Sequence, residues 1–172
     1  MATTAAPHAE TAHDTFPING TDYIEFWVAN AKQSQLYYRH VMGFELLAYR
    51  GPETGVRDRA SYLLQQDKLR FVLTTPMGPE GEIAAHIALH GDGVRDLAFW
   101  VDDCRDAYAK AIERGARSVH PPRVDRDASG EVVIAAIATY GDTIHSIVER
   151  KNYTGTFLPG FVTATPAFVA KP

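Results

Sequence analysis

The chain repeats itself. Ile24-Glu25-Phe26-Trp27-Val28 is matched by Leu97-Ala98-Phe99-Trp100-Val101 at an offset of 73 residues, and the likeness runs on past this core. NAKQSQLYYRHVMGF follows the first copy as DCRDAYAKAIERGAR follows the second. In the second copy Cys104, Ala107, Tyr108 and Ala111 fall at i, i+3, i+4 and i+7, the spacing that turns one face of a helix toward a sheet. Asp102 and Asp103 open that helix, where carboxylates suit the free amide groups, and Gly115 closes it in a conformation that glycine adopts without side-chain clash. Gly43 ends the first helix at the matching point, one residue later. Extended segments then follow in each copy: FELLAYR, RASYLLQ and LRFVLTT; ARSVHPP, GEVVIAAIAT and TIHSIVER. Turns are expected at Gln66 to Lys68, Asp127 to Gly130 and Tyr140 to Thr143.

Each copy therefore reads strand, helix, three strands. A curled four-stranded sheet with a helix on one side leaves its other apolar face wet, and two copies in one chain can cover those faces together. The expected fold class is α+β: two tandem βαβββ modules with curled mixed sheets and helices on the outside. Module one is placed at about residues 20–77, a linker with a short helix at 78–92 and module two at about 93–151, all within one domain over 16–161. Residues 1–15 read as a disordered tail, and 162–172, rich in Ala, Thr and Pro, as a tail or a severed linker. A length of 172 residues with 45% apolar content suffices for one such core.

Charge and composition remove several function classes. A formal charge of -4 supplies no positive field for phosphate backbones or anionic lipid, so neither nucleic acid nor membrane is an expected partner. No stretch approaches the roughly 20 apolar residues that span a bilayer. The polar start lacks a secretory signal and the single Cys104 cannot form an internal disulfide, so the cytoplasm is the expected location. No dinucleotide, P-loop, serine-hydrolase or paired-cysteine motif occurs.

The remaining candidates are weighed against ordinary packing. His86 and His90 sit four residues apart and could share a metal ion, but no glutamate accompanies them as in a zinc hydrolase. Exposed linker histidines, with His90 near a helix C-terminus, are the preferred reading. In the last strand His145, Ile147 and Glu149 share one face, and Ile144, Ser146 and Val148 the other. Glu149 and Arg150 read as edge charges. Cys104 lies on the apolar helix stripe and is expected to be buried rather than nucleophilic. Arg57 and Arg59 read as solvated charge, and the Phe26-Trp27 and Phe99-Trp100 pairs as seals between layers, with a ligand wall as the other possibility.

The ordered set FWVANAKQSQLYYRHVMGFELLAYRGPETG, ASYLLQQDKLRFVLTTP, HGDGVRDLAFWV, ERGARSV and IAAIATYGDTIHSIVER, followed by FLPGF, covers nearly all of residues 20–161. It resembles the N-terminal domain of the 4-hydroxyphenylpyruvate dioxygenases, in the vicinal oxygen chelate (glyoxalase/bleomycin-resistance/dioxygenase-like) superfamily, to which hydroxymandelate synthase is related. The resemblance implies two such domains in tandem, the C-terminal one holding Fe(II) through two histidines and a glutamate and converting 4-hydroxyphenylpyruvate and O2 to homogentisate and CO2, a step of tyrosine catabolism. At the corresponding positions this chain carries Tyr23, Asp96 and Ser146. The resemblance therefore implies a segment with no catalytic, cofactor-binding or metal-binding residue of its own, inactive alone, with the C-terminal catalytic domain as its partner and a homo-oligomer as its setting. A stand-alone, metal-free member that binds a small molecule is the alternative, as is the N-terminal part of a hydroxymandelate synthase.

Overall fold

The computed structural model describes residues 16–164. The expected tail at 1–15 and most of the expected linker at 162–172 lie outside that range. The elements run β1 (Gly20–Trp27), α1 (Ala31–Met42), β2 (Glu45–Arg50), β3 (Arg59–Gln66), β4 (Leu69–Pro76), α2 (Glu82–His90), β5 (Gly93–Trp100), α3 (Cys104–Glu113), β6 (Ser118–Asp127), β7 (Gly130–Ala138), β8 (Ile144–Glu149) and β9 (Val162–Thr163). The strand-helix-three-strand pattern holds in both copies, and the three expected turns fall between β3 and β4, β6 and β7, and β7 and β8.

The copies join edge to edge. The nine strands of the described residues form one mixed sheet in the order β6-β7-β8-β5-β1-β4-β3-β2-β9. At its centre β1 and β5 run antiparallel, with Ile24 directly opposite Leu97. Those two residues are counterparts in the repeat, so the pseudo-twofold axis relating the modules passes between them. Each module keeps one parallel pair, β1 with β4 and β5 with β8.

Three apolar clusters follow from the strand alternation. One lies on the face shared by both modules and draws Leu63 and Val72 from the first, Val132 and Val148 from the second. Its lid is the segment after β8, which places Phe157 and Phe161 into the same cluster. The other two lie on the opposite face, under α1 and α3. Phe44 stacks on Phe71 at 4.9 Å and Tyr38 meets the same ring edge-on at 5.3 Å, each such side chain contributing roughly 1.5–3 kcal/mol by leaving water.

The helix ends are specified locally. Asn30 caps α1 by accepting from the Gln33 amide at 3.0 Å, and Asp103 caps α3 by accepting from the Asp106 amide at 2.9 Å. Gly43 closes α1 with φ 78°. Gly130 begins β7 at φ 122°, and a side chain there would collide with the Asn152 carbonyl oxygen. At one margin of the sheet, β6 carries Pro121 and Pro122 where its pairing with β7 slips between His120 and Arg123. At the other margin, Val162–Thr163 pairs with β2 at the start of the expected linker. No described helix is long and apolar enough to cross a membrane.

Candidate functional site

The central strand pair determines what meets on the shared face. Tyr23 and Asp96 are repeat counterparts placed diagonally across the axis, and in a strand pair such diagonal neighbours on one face are within reach of each other. The Tyr23 hydroxyl donates to Asp96 Oδ2 at 3.1 Å. From β8 the Ser146 hydroxyl donates to the same oxygen at 2.6 Å, and the Ser146 amide donates to Asp96 Oδ1 at 2.9 Å. All three residues are buried. The expected convergence of Tyr23, Asp96 and Ser146 is thus present as a closed hydrogen-bonded group in which both carboxylate oxygens are already used.

This donor set does not suit Fe(II) in the manner of a two-histidine, one-carboxylate triad. It supplies no imidazole, and burial holds the Tyr23 phenol well above its ordinary range, with the Asp96 charge acting in the same direction. Deprotonating that phenol to bind a cation would also break its bond to Asp96. Burial raises Asp96 itself, while the bonds from Ser146 and Tyr23 act in the opposite direction.

Beside this group opens a cleft of about 370 Å³ whose walls include Glu25, Trp27, Arg50, Arg59, Arg95 and Phe161. Arg50 lies 4.6 Å from the Phe161 ring centre and Arg95 lies 4.8 Å from that of Trp27. Among the described residues, neither guanidinium forms an ion pair within 4.0 Å with a carboxylate. Arg59 does, with Asp58 at 2.8 Å. Sequence reasoning singled out Trp27 and Arg59 but missed Arg50 and Arg95. Arg50 shares the inner face of β2 with Ala48, whereas Arg95 would alternate away from Asp96 and reaches the cleft where the β1–β5 pairing slips beside it, which no strand period shows.

Glu25 accepts from Thr74 Oγ1 at 2.6 Å, and that hydroxyl is 2.9 Å from Ser61 Oγ. Burial pushes the Glu25 carboxyl up from its ordinary 4.5, outweighing the bond from Thr74. Its folded-state pKa is therefore above the unfolded one, so its contribution to stability is complete below the unfolded value and is lost as pH rises through the folded value. Glu25→Gln, which keeps an acceptor for Thr74, is expected to be more stable than the parent at neutral pH and to lose less stability between acid and neutral pH. Urea unfolding midpoints across that range test this; a variant with the parent's slope would show that Glu25 is not the source.

The other sequence candidates fall outside the cleft or support it. Cys104 is fully buried on α3 and its thiol donates to the Ile147 carbonyl at 3.1 Å. Burial, with Glu149 nearby, pushes that thiol up to about 12. A disulfide reagent is expected to leave it untouched in the native protein and to titrate it stoichiometrically in denaturant; prompt native labelling would contradict the burial.

Glu149 and Arg150 are not edge charges. Glu149 is buried and accepts from the Cys104 amide at 3.1 Å, while Arg150 reaches across to Asp22. β8 lies between β7 and β5, and the start of α3 and the Asp22 carboxylate meet these two side chains there, which strand alternation alone does not reveal. Phe26 seals β1 against α1 through Tyr38 and Phe71, as expected. Trp100 instead remains 43% exposed. His145 leans on Phe99 with ring centres 4.9 Å apart and is bonded to the Leu97 carbonyl, and Arg57 is exposed.

His86 and His90 are more than linker packing. The turn between β7 and β8 brings Asp142 to them, and the ligand atoms of all three lie within 4.8 Å of one another. His90 Nε2 is 2.8 Å from Asp142 Oδ2, so His90 pairs with a carboxylate rather than only with the helix end. The partner is 52 residues away along the chain, beyond any local spacing rule.

Comparison with known proteins bears on the family and the fold. Residues 13–158 match the family described as hydroxyphenylpyruvate dioxygenase, N-terminal. A 4-hydroxyphenylpyruvate dioxygenase of Tetrahymena thermophila is 45% identical over 148 residues, and one of Danio rerio is 48% identical over 141. These alignments cover 83% and 81% of this chain but only 37% and 36% of the relatives, so the chain spans a little over a third of their length. Among solved structures, a mutant of 4-hydroxymandelate synthase from Streptomyces coelicolor superposes with TM-score 0.77 at 28% identity, covering 90% of this chain and 44% of that one. Methylmalonyl-CoA epimerase from Mycobacterium tuberculosis, at 21% identity and TM-score 0.65 over 83% of this chain and 95% of its own, shares the fold.

Proposed function

This chain belongs to the hydroxyphenylpyruvate dioxygenase N-terminal family, and on that premise we propose that it is the supporting, non-iron-binding part of an Fe(II)-dependent dioxygenase acting on 4-hydroxyphenylpyruvate. The observation that carries this reading is the closed Tyr23–Asp96–Ser146 group. Where an iron-bearing domain would offer three open ligands, this chain has a tyrosine and a serine that spend their protons on one aspartate. No catalytic or cofactor-binding residue is assigned to it.

Within the proposed enzyme, residues 16–161 form one domain with module one at about 20–77, the linker at 78–92 and module two at about 93–151. Residues 162–172 lead toward a C-terminal partner that carries the iron and the chemistry. The relatives' extra length supports such a partner. Packing against it, and against further copies in a homo-oligomer, is the role proposed for the outer surface.

The purified chain, supplied with ferrous iron, ascorbate and 4-hydroxyphenylpyruvate, is expected to yield no homogentisate above the iron-only control. Oxygen uptake matched by homogentisate formation would overturn the reading.

One observation favours a second role, as a small-molecule binder: the cleft presents Arg50 and Arg95 without carboxylate partners beside the aromatic walls Trp27 and Phe161. A small aromatic acid matches that surface. Calorimetry with 4-hydroxyphenylpyruvate and 4-hydroxyphenylacetate distinguishes the two: saturable heat abolished by Arg95→Met supports binding, and baseline heat throughout removes it.

A further inference from the structure

Outside the cleft, the structure places three metal-ligating side chains together on the outer side of the linker. His86 and His90 are one turn apart on α2, which puts both imidazoles on the same helix face. Asp142 is delivered to that face by the turn between β7 and β8 of module two. The two rings stand 4.7 Å apart, centre to centre, and His90 Nε2 already lies 2.8 Å from Asp142 Oδ2. His86 is held from behind by Trp27, whose ring meets it edge-on at 5.1 Å.

We propose that His86, His90 and Asp142 form a binding site for a borderline divalent transition ion of the Zn2+ type. Two nitrogens and one carboxylate oxygen make up a set that such an ion accepts in tetrahedral geometry, with water in the fourth position. Bonds of about 2.0–2.1 Å set neighbouring ligand atoms roughly 3.4 Å apart in a tetrahedron. The present separations, all within 4.8 Å, need only small side-chain rotations to reach it. His90 and Asp142 are exposed, which leaves room for both the rotations and the water. Mg2+ and Ca2+, which prefer sites made wholly of oxygen, do not match the two imidazoles.

The position gives the ion something to do. α2 belongs to the segment between the modules and packs on β4 and β1, whereas Asp142 belongs to module two. A bound ion would fasten the linker helix to the second module and replace a single exposed hydrogen bond by three coordinate bonds. This site is separate from the Tyr23–Asp96–Ser146 position, so the family reading and the metal proposal stand or fall by different assays.

Trp27 makes the test direct. In a Trp100→Phe background it is the only tryptophan, and it touches His86. Added Cu2+, which the same nitrogen donors bind more tightly, is expected to quench its emission saturably, and Zn2+ to reverse the quenching by competition. Calorimetry on the full chain is expected to give one Zn2+ per molecule and no heat with Mg2+. His90→Ala and Asp142→Asn, both on exposed side chains, are each expected to weaken Zn2+ binding and the quenching by about tenfold or more, since loss of even an outer partner of a ligand costs that much. Thermal melts are expected to rise with Zn2+ in the parent and not in His90→Ala. Unchanged affinity in both variants would assign the ion to other donors, such as His8 and His13, and would overturn the proposal, as would the absence of saturable Zn2+ binding.

Discussion

Asp96→Ala is expected to lower the unfolding free energy by about 3–5 kcal/mol, the range for removing one partner from a buried, charge-bearing network. The loss comes from what stays behind. The Tyr23 hydroxyl, the Ser146 hydroxyl and the Ser146 amide all donate to this one carboxylate, and the truncation leaves all three in the interior without an acceptor. Asp96→Asn keeps one carbonyl oxygen, and the hydroxyls can reorient to accept from its NH2 group, so a smaller loss of about 1–2 kcal/mol is expected. Urea unfolding followed by far-UV circular dichroism measures both. If Asp96→Ala unfolded at the parent's midpoint, the group would be a bystander and the account of why this chain has no open ligand set would fail.

Asp22→Ala is expected to cost a similar amount, about 3–5 kcal/mol, for a different reason. The Asp22 side chain is 1% exposed and holds Arg150 through Nη2 at 2.5 Å and Nε at 3.0 Å, with Arg70 farther off at 3.4 Å. Truncation strands the Arg150 guanidinium, which is only 18% exposed. Arg150 also donates to the Phe157 carbonyl, so the segment lying over the shared face loses its anchor as well. Removing both charges in Asp22→Ala/Arg150→Met relieves the stranded cation and is expected to recover part of the stability. A double variant no more stable than Asp22→Ala would mean that the pair is not the unit of the effect.

The legible parts of this molecule are those governed by near-neighbour chemistry. The strand-helix-three-strand echo, the Asp103 and Gly43 helix ends, the buried stripe of α3 and the three hairpin turns all follow from spacing and side-chain type. The meeting of Tyr23, Asp96 and Ser146 came from family resemblance, and the Ile24–Leu97 register supplies its geometric reason. Other features depend on contacts between distant segments. Asp142 reaches His90 only after β7 and β8 have paired; Asp22 and Arg150 are 128 residues apart; and Glu149 is buried because α3 presents its first amide to it. Charged residues at a strand end look alike in one dimension whether they face water or a buried partner.

The proline-bearing outer strand has a bearing on how concentrated solutions of the protein behave. A neighbouring molecule seeking to extend the ladder along β6 finds two positions that cannot donate an amide and a break in register beside them. Backbone-to-backbone stacking is obstructed at that border, which confines self-association there to side-chain contacts.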